Sequence, residues 1–577
     1  MKVENGKTIE YNQMNYNLRK SIQYIIISFI ILFLVNTIAS RLYFRLDLTA
    51  EKRYTLTNAT KNLLKNMKQD VVIDVYLEGK DLPAGIKKLK QETTELLREF
   101  RTYSNGKIAF NYIDINGIKK AEDKQKLMQE LVEKGIKPIN LEVNTNSGFI
   151  EKLIFPGAIL KSNGKEIPMQ ILESQFAFGA QGAINNSVNF LEYKLANSIQ
   201  KLIRKNAPKV VFLQGHGELP LPNIQEILKH LTQQNFIVDK IELATEPLLN
   251  QNIDILVIAK PQVALFDEEK FLIDQYIMHG GKVIWLIDHS NADLQNFQQA
   301  PSYVSTAREL NIEDILFKYG VRINYNLALD LYCSQIPIVE TIGGNPQPKL
   351  FPWVFFPIAI PKNNHPIIKN LDPIWFRFVS SIDVLSNPNV NKTILASTST
   401  YSRIQSLPFE IHLLGAKQKP NPNLFNTKEI PLAVLLEGEF SSLYTNQFTS
   451  DLRQILAKQN TTFIAKSMPS KMIVIADGDV ISNDVDSKGA PVALGYDKYT
   501  QQQYANKDFI LNCFEYLIDD NNLIEARNRE VKMRLLDKAK ILDQKKLAQI
   551  LVFLIPIGIV VLFGNLYNSR RKKKYTT

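Results

Sequence analysis

Two apolar stretches without a charge bracket this 577-residue chain and constrain it more than any other feature. Ile22 to Ala39 runs 18 residues, about the minimum for a helix that crosses a bilayer. Leu547 to Tyr567 runs 21 and contains Pro556 and Gly558, both tolerated in spanning helices. The first also admits reading as a signal peptide. Its apolar core, however, exceeds the usual ~7–15 residues, and Thr37-Ile38-Ala39 makes a poor cleavage site. The second also admits reading as a buried core helix. Against that stand the five cations that follow it, Arg570 to Lys574, which need water or lipid headgroups. The sequence therefore predicts transmembrane helices at 22–39 and 547–567.

The net charge of +11 is concentrated at the ends. Residues 1–20 carry +2 and the tail carries +5, leaving +4 for everything between. That distribution argues for membrane orientation and against a nucleic-acid face. The positive-inside bias acts through short segments, and the short segments here are the basic termini, 1–21 and 568–577. Both are expected in the cytoplasm, with the body of the chain in the periplasm of a bacterial inner membrane. Forty-five per cent hydrophobic and 22% charged residues exclude a disordered or fibrous chain. Two cysteines, Cys333 and Cys513, exclude a disulfide scaffold.

Between the spans, residues 47–205 read as strands and helices in the order βαβαβββα, a small N-terminal α/β domain. Residues 208–520 read as a larger α/β domain. KVVFLQ, DILVIA and KVIWLI are continuous apolar strands alternating with helices, the pattern of a parallel sheet covered on both faces. A proline-rich stretch, 340–470, reads as an elaboration of this domain, a separate domain being the alternative. Strands are expected at 393–398, 431–440 and 471–479, and the last of these, through IVIADGD, would rejoin the sheet. Residues 525–546 form a charged stalk. One helix from Arg527 to Tyr567 would reach ~60 Å; a packed terminal helix broken near Gln544 is the other reading.

Three features bear on chemistry. Gln214-Gly215-His216-Gly217-Glu218 follows a buried strand, where open α/β sheets place ligands. His216 and Glu218 could act as acid and base or hold a metal, the turn could contact a ligand or partner, or it could be a glycine-requiring bend. Asp477-Gly478-Asp479, with Asn483 and Asp484, ends another buried strand and suits either a divalent cation or turn capping. Asp288 and His289 end a third, where His289 could approach His216. The remaining histidines, at 230, 279, 365 and 412, show no metal-ligand spacing. Trp353, within Phe351-Pro352-Trp353-Val354-Phe355-Phe356-Pro357, is either an exposed docking group or part of an ordered core loop. No GxSxG, Walker or GxGxxG motif occurs, and Cys513 reads as core. No catalytic residue, metal or cofactor is expected.

RLDLTAEKRYTLTNATKNLLKN after the first span, VVFLQGHGELP, DILVIAKP, GGKVIWLID and IVIADGDVISND occur in an order that resembles the GldG family. These are gliding-motility-associated ABC-transporter proteins, within the wider auxiliary, substrate-binding-like components of uncharacterised ABC transport systems. The resemblance covers nearly the whole chain. It implies a subunit beside a membrane permease and a separate cytoplasmic ATPase, linked to envelope motility or secretion proteins. It also implies a glutamine-amidotransferase-like or flavodoxin-like parallel-sheet fold, shared with an intraflagellar-transport protein, in relatives that lack the amidotransferase nucleophile. Here glutamine and glycine, not cysteine, stand at Gln214-Gly215, so no catalytic residue carries over. A tethered hydrolase using His216 and Glu218, or a structural adaptor, remain the competing expectations. Gly215, His216, Gly217, Glu218, Asp288, Asp477, Asp479 and Trp353 are the expected ligand or partner contacts.

Overall fold

The computed structural model describes residues 23–37, 55–79, 82–145, 148–172, 179–249, 251–298, 300–342, 345–519, 523, 526 and 538–575. The chain divides into two compact units, Met1–Thr55 and Leu56–Thr577. In the first, the described residues form one apolar helix, α1, Gln23–Thr37. Its 15 residues rise only ~22 Å, short of the ~30 Å hydrocarbon core. Ile22, Ile38 and Ala39 of the expected span lie outside the described residues.

The second unit opens with helix α2, Asn58–Lys65. Strand β1 (Val71–Val75), helix α3 (Ala84–Tyr103), strand β2 (Ile108–Tyr112) and helix α4 (Ala121–Glu133) follow. Strands β3 (Ile139–Thr145) and β4 (Gly148–Ile154) pair as a separate antiparallel hairpin. Strands β5 (Gly157–Ser162) and β6 (Lys165–Gln170) complete a four-stranded sheet of order β2-β1-β5-β6. Four strands, β3 to β6, stand where the order βαβαβββα expects three, because the run Phe149 to Leu160 splits at Phe155-Pro156. Proline cannot donate to a ladder, and a side chain at Gly157 would strike Ile136. Helix α5, Gly179–Ile203, packs on α3 and the sheet. Val71, Ile73 and Val75 alternate into this core with Leu89, Leu97 and Ile199, while Asp74 faces Lys161 at 3.0 Å.

The larger sheet has seven strands. In chain order β7 (Lys209–Gln214), β8 (Ile237–Glu242), β9 (Ile255–Ala259) and β10 (Lys282–Leu286) are linked by helices α6 (Leu221–Gln233) and α7 (Asp267–Met278). Helix α8 (Glu313–Tyr319) then precedes a long hairpin of β11 (Cys333–Ile342) and β12 (Asn345–Ala359). Strands β13 (Val390–Ser397), β14 (Pro431–Gly438) and β15 (Ser470–Ile475) return to the same sheet, with helix α9 (Ser450–Lys458) before β15. The order is β13-β14-β15-β10-β9-β7-β8. The five strands from β15 to β8 are parallel; β14 and β13 add antiparallel. Every residue of β9 is buried, as continuous apolar strands between helical layers require.

The proline-rich stretch is more ordered than proline density suggests. Pro346, Pro348 and Pro352 all lie on β12, paired with Thr341, Val339 and Gln335. Their even spacing puts each missing N–H on one edge of the ribbon, the placement a strand tolerates. The base of the hairpin builds a second core with Trp353, Phe356 and Ile411.

Helix α10, Asn506–Ile518, follows the seven-stranded sheet in the chain and bolts onto α5. The Glu515 carboxylate accepts from Tyr193 Oη at 2.6 Å, Asn197 Nδ2 at 2.9 Å and Lys201 Nζ at 2.5 Å. Helix α11 spans Lys538–Tyr575, 38 residues or ~57 Å. It continues through Pro556 and into the basic run. Residues 525 and 527–537 of the expected stalk, 525–546, lie outside the described residues. Within α11, Gln549–Lys573 is the one helix among the described residues long and apolar enough to cross a membrane.

Candidate functional site

Strand order decides where this sheet can hold a ligand. Taken as β8-β7-β9-β10-β15, the parallel strands follow the doubly wound order 2-1-3-4-5. The chain leaves β7 toward one side and returns to β9 on the other. That reversal opens a crevice outside the carboxyl ends of β7 and β9. A cavity of ≈ 250 Å³ lies there, and Gly217, Glu218, Lys260, Asp293, Arg377 and Asp479 are among its lining residues.

The Gly215–Glu218 turn forms one wall. Gly215 and Gly217 have φ of 114° and 72°, values that glycine adopts without a Cβ penalty. At Gly217 a Cβ would also press on Gln262 at 3.0 Å. His216 itself turns inward and is 3% exposed. Its Nε2 lies 2.8 Å from Glu269 Oε2 and its Nδ1 lies 3.4 Å from Glu218 Oε1. The Glu218 carboxylate also accepts from the His216 N–H at 2.8 Å. The Glu218 carboxylate first, and then Glu269, raise the imidazole pKa above its ordinary value against the opposing effect of burial. The Glu218 side chain is 1% exposed, so this wall meets the cavity through backbone. His216 and Glu218 clamp the turn onto the start of α7.

The opposite wall gathers the ends of β9, β10 and β15. Carboxylate oxygens of Asp288, Asp477 and Asp479 lie within 4.8 Å of one another. Lys260 enters this group. Its Nζ is 2.6 Å from Asp479 Oδ1, 3.3 Å from Asp288 Oδ2 and 3.5 Å from Asp293 Oδ2. Burial pushes the Lys260 ammonium down, but Asp479, Asp288 and Asp293 outweigh it and hold the pKa well above the usual lysine value. Lys260 itself has φ 58°, and its Cβ would stand 2.4 Å from a Cβ at Gly478. The glycine between the two aspartates is what lets the segments that leave β9 and β15 approach across the end of β10. Arg377 adds a second cation, 3.2 Å from Asp484 and 3.7 Å from Asp479.

The carboxyls divide by environment. Asp479 is only half-buried, and Lys260 and Arg377 overcome the effect of that burial and keep its pKa below the usual value. Burial, reinforced by Asp288 and Asp479, drives Asp477 well upward. Asp477 also caps the turn at Gly478–Ile481, accepting from the Asp479 N–H at 2.7 Å, and accepts from the Arg377 N–H at 2.7 Å. Two of the three aspartates, Asp288 and Asp479, already share the chain's own ammonium at Lys260, and the third, Asp477, is engaged by backbone N–H groups. That favours capping and internal neutralisation over the cation-binding reading.

The structure thus brings Gly217, Glu218 and Asp479 to one cavity and sets Asp288 and Asp477 behind it. Other expectations are corrected. Trp353 is 1% exposed and packs on Phe355 at 4.9 Å between ring centroids, so it is a core residue and no docking group. Proline and aromatics together form a packed ribbon base here. His289 does not join His216; its ring meets Tyr325 at 4.9 Å and its Nδ1 meets the Arg308 carbonyl at 3.1 Å. Cys333 and Cys513 are both free thiols, Cys513 being buried in the main core. Lys260, Asp293 and Arg377 were not singled out from sequence. A lysine ending the apolar run of β9, directly before Pro261, was the available signal for Lys260; Arg377 had none.

These features define a doubly wound α/β protein with a polar, self-neutralised crevice at its switch point and an apolar helix of membrane-crossing length. The family described as ABC-type uncharacterized transport system matches residues 207–513, which include the whole crevice, and the chain belongs to it. A domain of unknown function (DUF7088) matches residues 50–161. An uncharacterized protein of Borreliella burgdorferi is 23% identical over 561 residues, covering 94% of this chain and 96% of its own. Among solved structures, the mmIFT52 N-terminal domain aligns with 54% of this chain and 96% of its own. Its TM-score of 0.29 and identity of 12% are too low to carry an argument. Membership associates the chain with the other components of an ABC transport system, and the apolar helix associates it with a membrane.

Proposed function

We propose that this protein is a non-catalytic, membrane-anchored auxiliary subunit of an ABC transporter of the gliding-motility or secretion type. It would sit beside a multi-span permease and draw its energy from a separate cytoplasmic ATPase. In this reading α1 and α11 both belong to spans, the termini are cytoplasmic, and the two α/β domains stand in the periplasm. Gly217 and Asp479 at the switch-point cavity would meet the transported ligand or a partner subunit. Family membership across the crevice-bearing domain is the observation that carries this reading. The inward clamping of His216 between two carboxylates supports a non-catalytic role, because a general base must reach a substrate proton.

Affinity purification of the full chain from membranes in mild detergent tests it. A permease and an ATPase should be recovered with it, and recovery of a lone monomer would overturn it. Protease added to intact spheroplasts should degrade the body of the chain. Protection until lysis would invert the topology. Binding of a transported ligand would distinguish a substrate-binding subunit from a purely structural adaptor.

A further inference from the structure

The basic run at the end of α11 lies at a depth set by helix geometry. From Leu547 to Tyr567 the apolar stretch of 21 residues rises ~31 Å, matching the ~30 Å hydrocarbon core. The helix does not stop there but continues to Tyr575. Arg570 stands three residues past Tyr567, ~4.5 Å farther along the axis, and the run to Lys574 adds ~6 Å. That interval overlaps the headgroup layer, ~5–7 Å per leaflet. Tyr567 marks its inner boundary, the level that amphipathic aromatic rings favour.

Successive helical positions are ~100° apart, so five adjacent cations encircle the helix instead of marking one face. A surrounding layer can meet such a collar on every side; a single docked protein cannot. The partial negative charge at a helix C-terminus also favours cations there.

We propose that Arg570, Arg571, Lys572, Lys573 and Lys574 bind the headgroups of anionic phospholipids in preference to zwitterionic ones. The inference rests on α11 being a membrane span. The full-length chain in mild detergent is equilibrated with equal amounts of phosphatidylglycerol and phosphatidylcholine, and the lipids it retains are counted by mass spectrometry. Wild type should be enriched in phosphatidylglycerol by ~10-fold, and replacement of all five cations by glutamine should abolish the enrichment. The preference should also weaken at 1 M salt, where the screening length falls to ~3 Å. Replacing Lys545 and Lys546 by glutamine should leave most of it. Equal retention of both lipids by wild type, or unchanged enrichment in the five-fold variant, would overturn the proposal. So would capture of an acidic protein in place of lipid. Alkaline carbonate extraction separates the two levels of the argument. A chain stripped from membranes has no span, and both readings fail. A chain that stays inserted without anionic preference sinks the collar alone.

Discussion

Replacing Glu515 with glutamine removes one negative charge from the joint between α5 and α10 and almost nothing else. The shape is kept, and an amide oxygen still accepts from Tyr193 and Asn197. Lys201 loses its counter-charge. Its side chain is 9% exposed and that of Glu515 is 11%, so water cannot replace the carboxylate. Gln234 Oε1 at 2.8 Å remains as a neutral acceptor. Breaking a buried pair by removing one partner typically costs ~3–5 kcal/mol. The retained amide and Gln234 place this variant at the lower end, about 3 kcal/mol. The natural readout is hydrogen exchange of α5 amides in the full chain, because the joint governs local opening. At 1.36 kcal/mol per factor of ten, exchange should speed by about 100-fold, while amides of β9 and β10 change little. The paired replacement Lys201→Met with Glu515→Leu restores an apolar contact and should return protection to within about tenfold of wild type. Unchanged exchange in Glu515→Gln, or a double variant as labile as the single, would refute the view that this ion pair holds α5 to α10.

Three further outcomes follow from the crevice and its surroundings. Lys260→Met strips the ammonium from three carboxylates and should destabilise the large domain by ~3–5 kcal/mol, read from urea unfolding by the fluorescence of Trp285 in β10; wild-type stability would show that the carboxyls neutralise one another. His230 on α6 is held down to about 4 by burial first, then by Lys507 and Lys229. Its folded pKa is depressed, so the unfolded chain takes the proton first as pH falls. Stability should drop by about 3 kcal/mol between roughly pH 7 and pH 4, and His230→Gln should remove that part of the slope. His216→Ala should lower stability by about 2–4 kcal/mol, because Glu269 and Glu218 lose the imidazole between them. Partner recovery per folded molecule should be unchanged. Loss of that recovery in a fully stable variant would reinstate His216 as a contact or catalytic group.

The parallel core was legible because burial on both faces leaves a periodic trace. Ile255 to Ala259 and Val283 to Leu286 read as strands from their continuous apolar runs and occupy adjacent central positions in the sheet. The glycines at 215 and 217 announced a bend and sit in left-handed conformations. What escaped the sequence was mostly geometry between distant segments. Arg377 lies in a stretch where proline hides periodicity, and only folding sets it beside Asp484. Lys260 carries no motif; its role appears when β9 and β15 flank β10. Trp353 was ambiguous because proline and aromatic residues mark exposed recognition loops and packed ribbon bases alike. The split at Phe155-Pro156 was missed for a simpler reason: apolar composition continues across a backbone break.

The sheet also sets a timetable for the newborn chain. Strand β15 slots beside β10, and the Gly478 N–H reaches Asp288 from 190 positions later in the sequence. At ~5–20 residues per second, a ribosome needs about 10–40 s to supply that partner. Throughout this interval the greasy flank of Val283 to Leu286 waits uncovered, open to stray pairing with neighbouring chains. The half-built sheet keeps that edge open until its last parallel strand arrives.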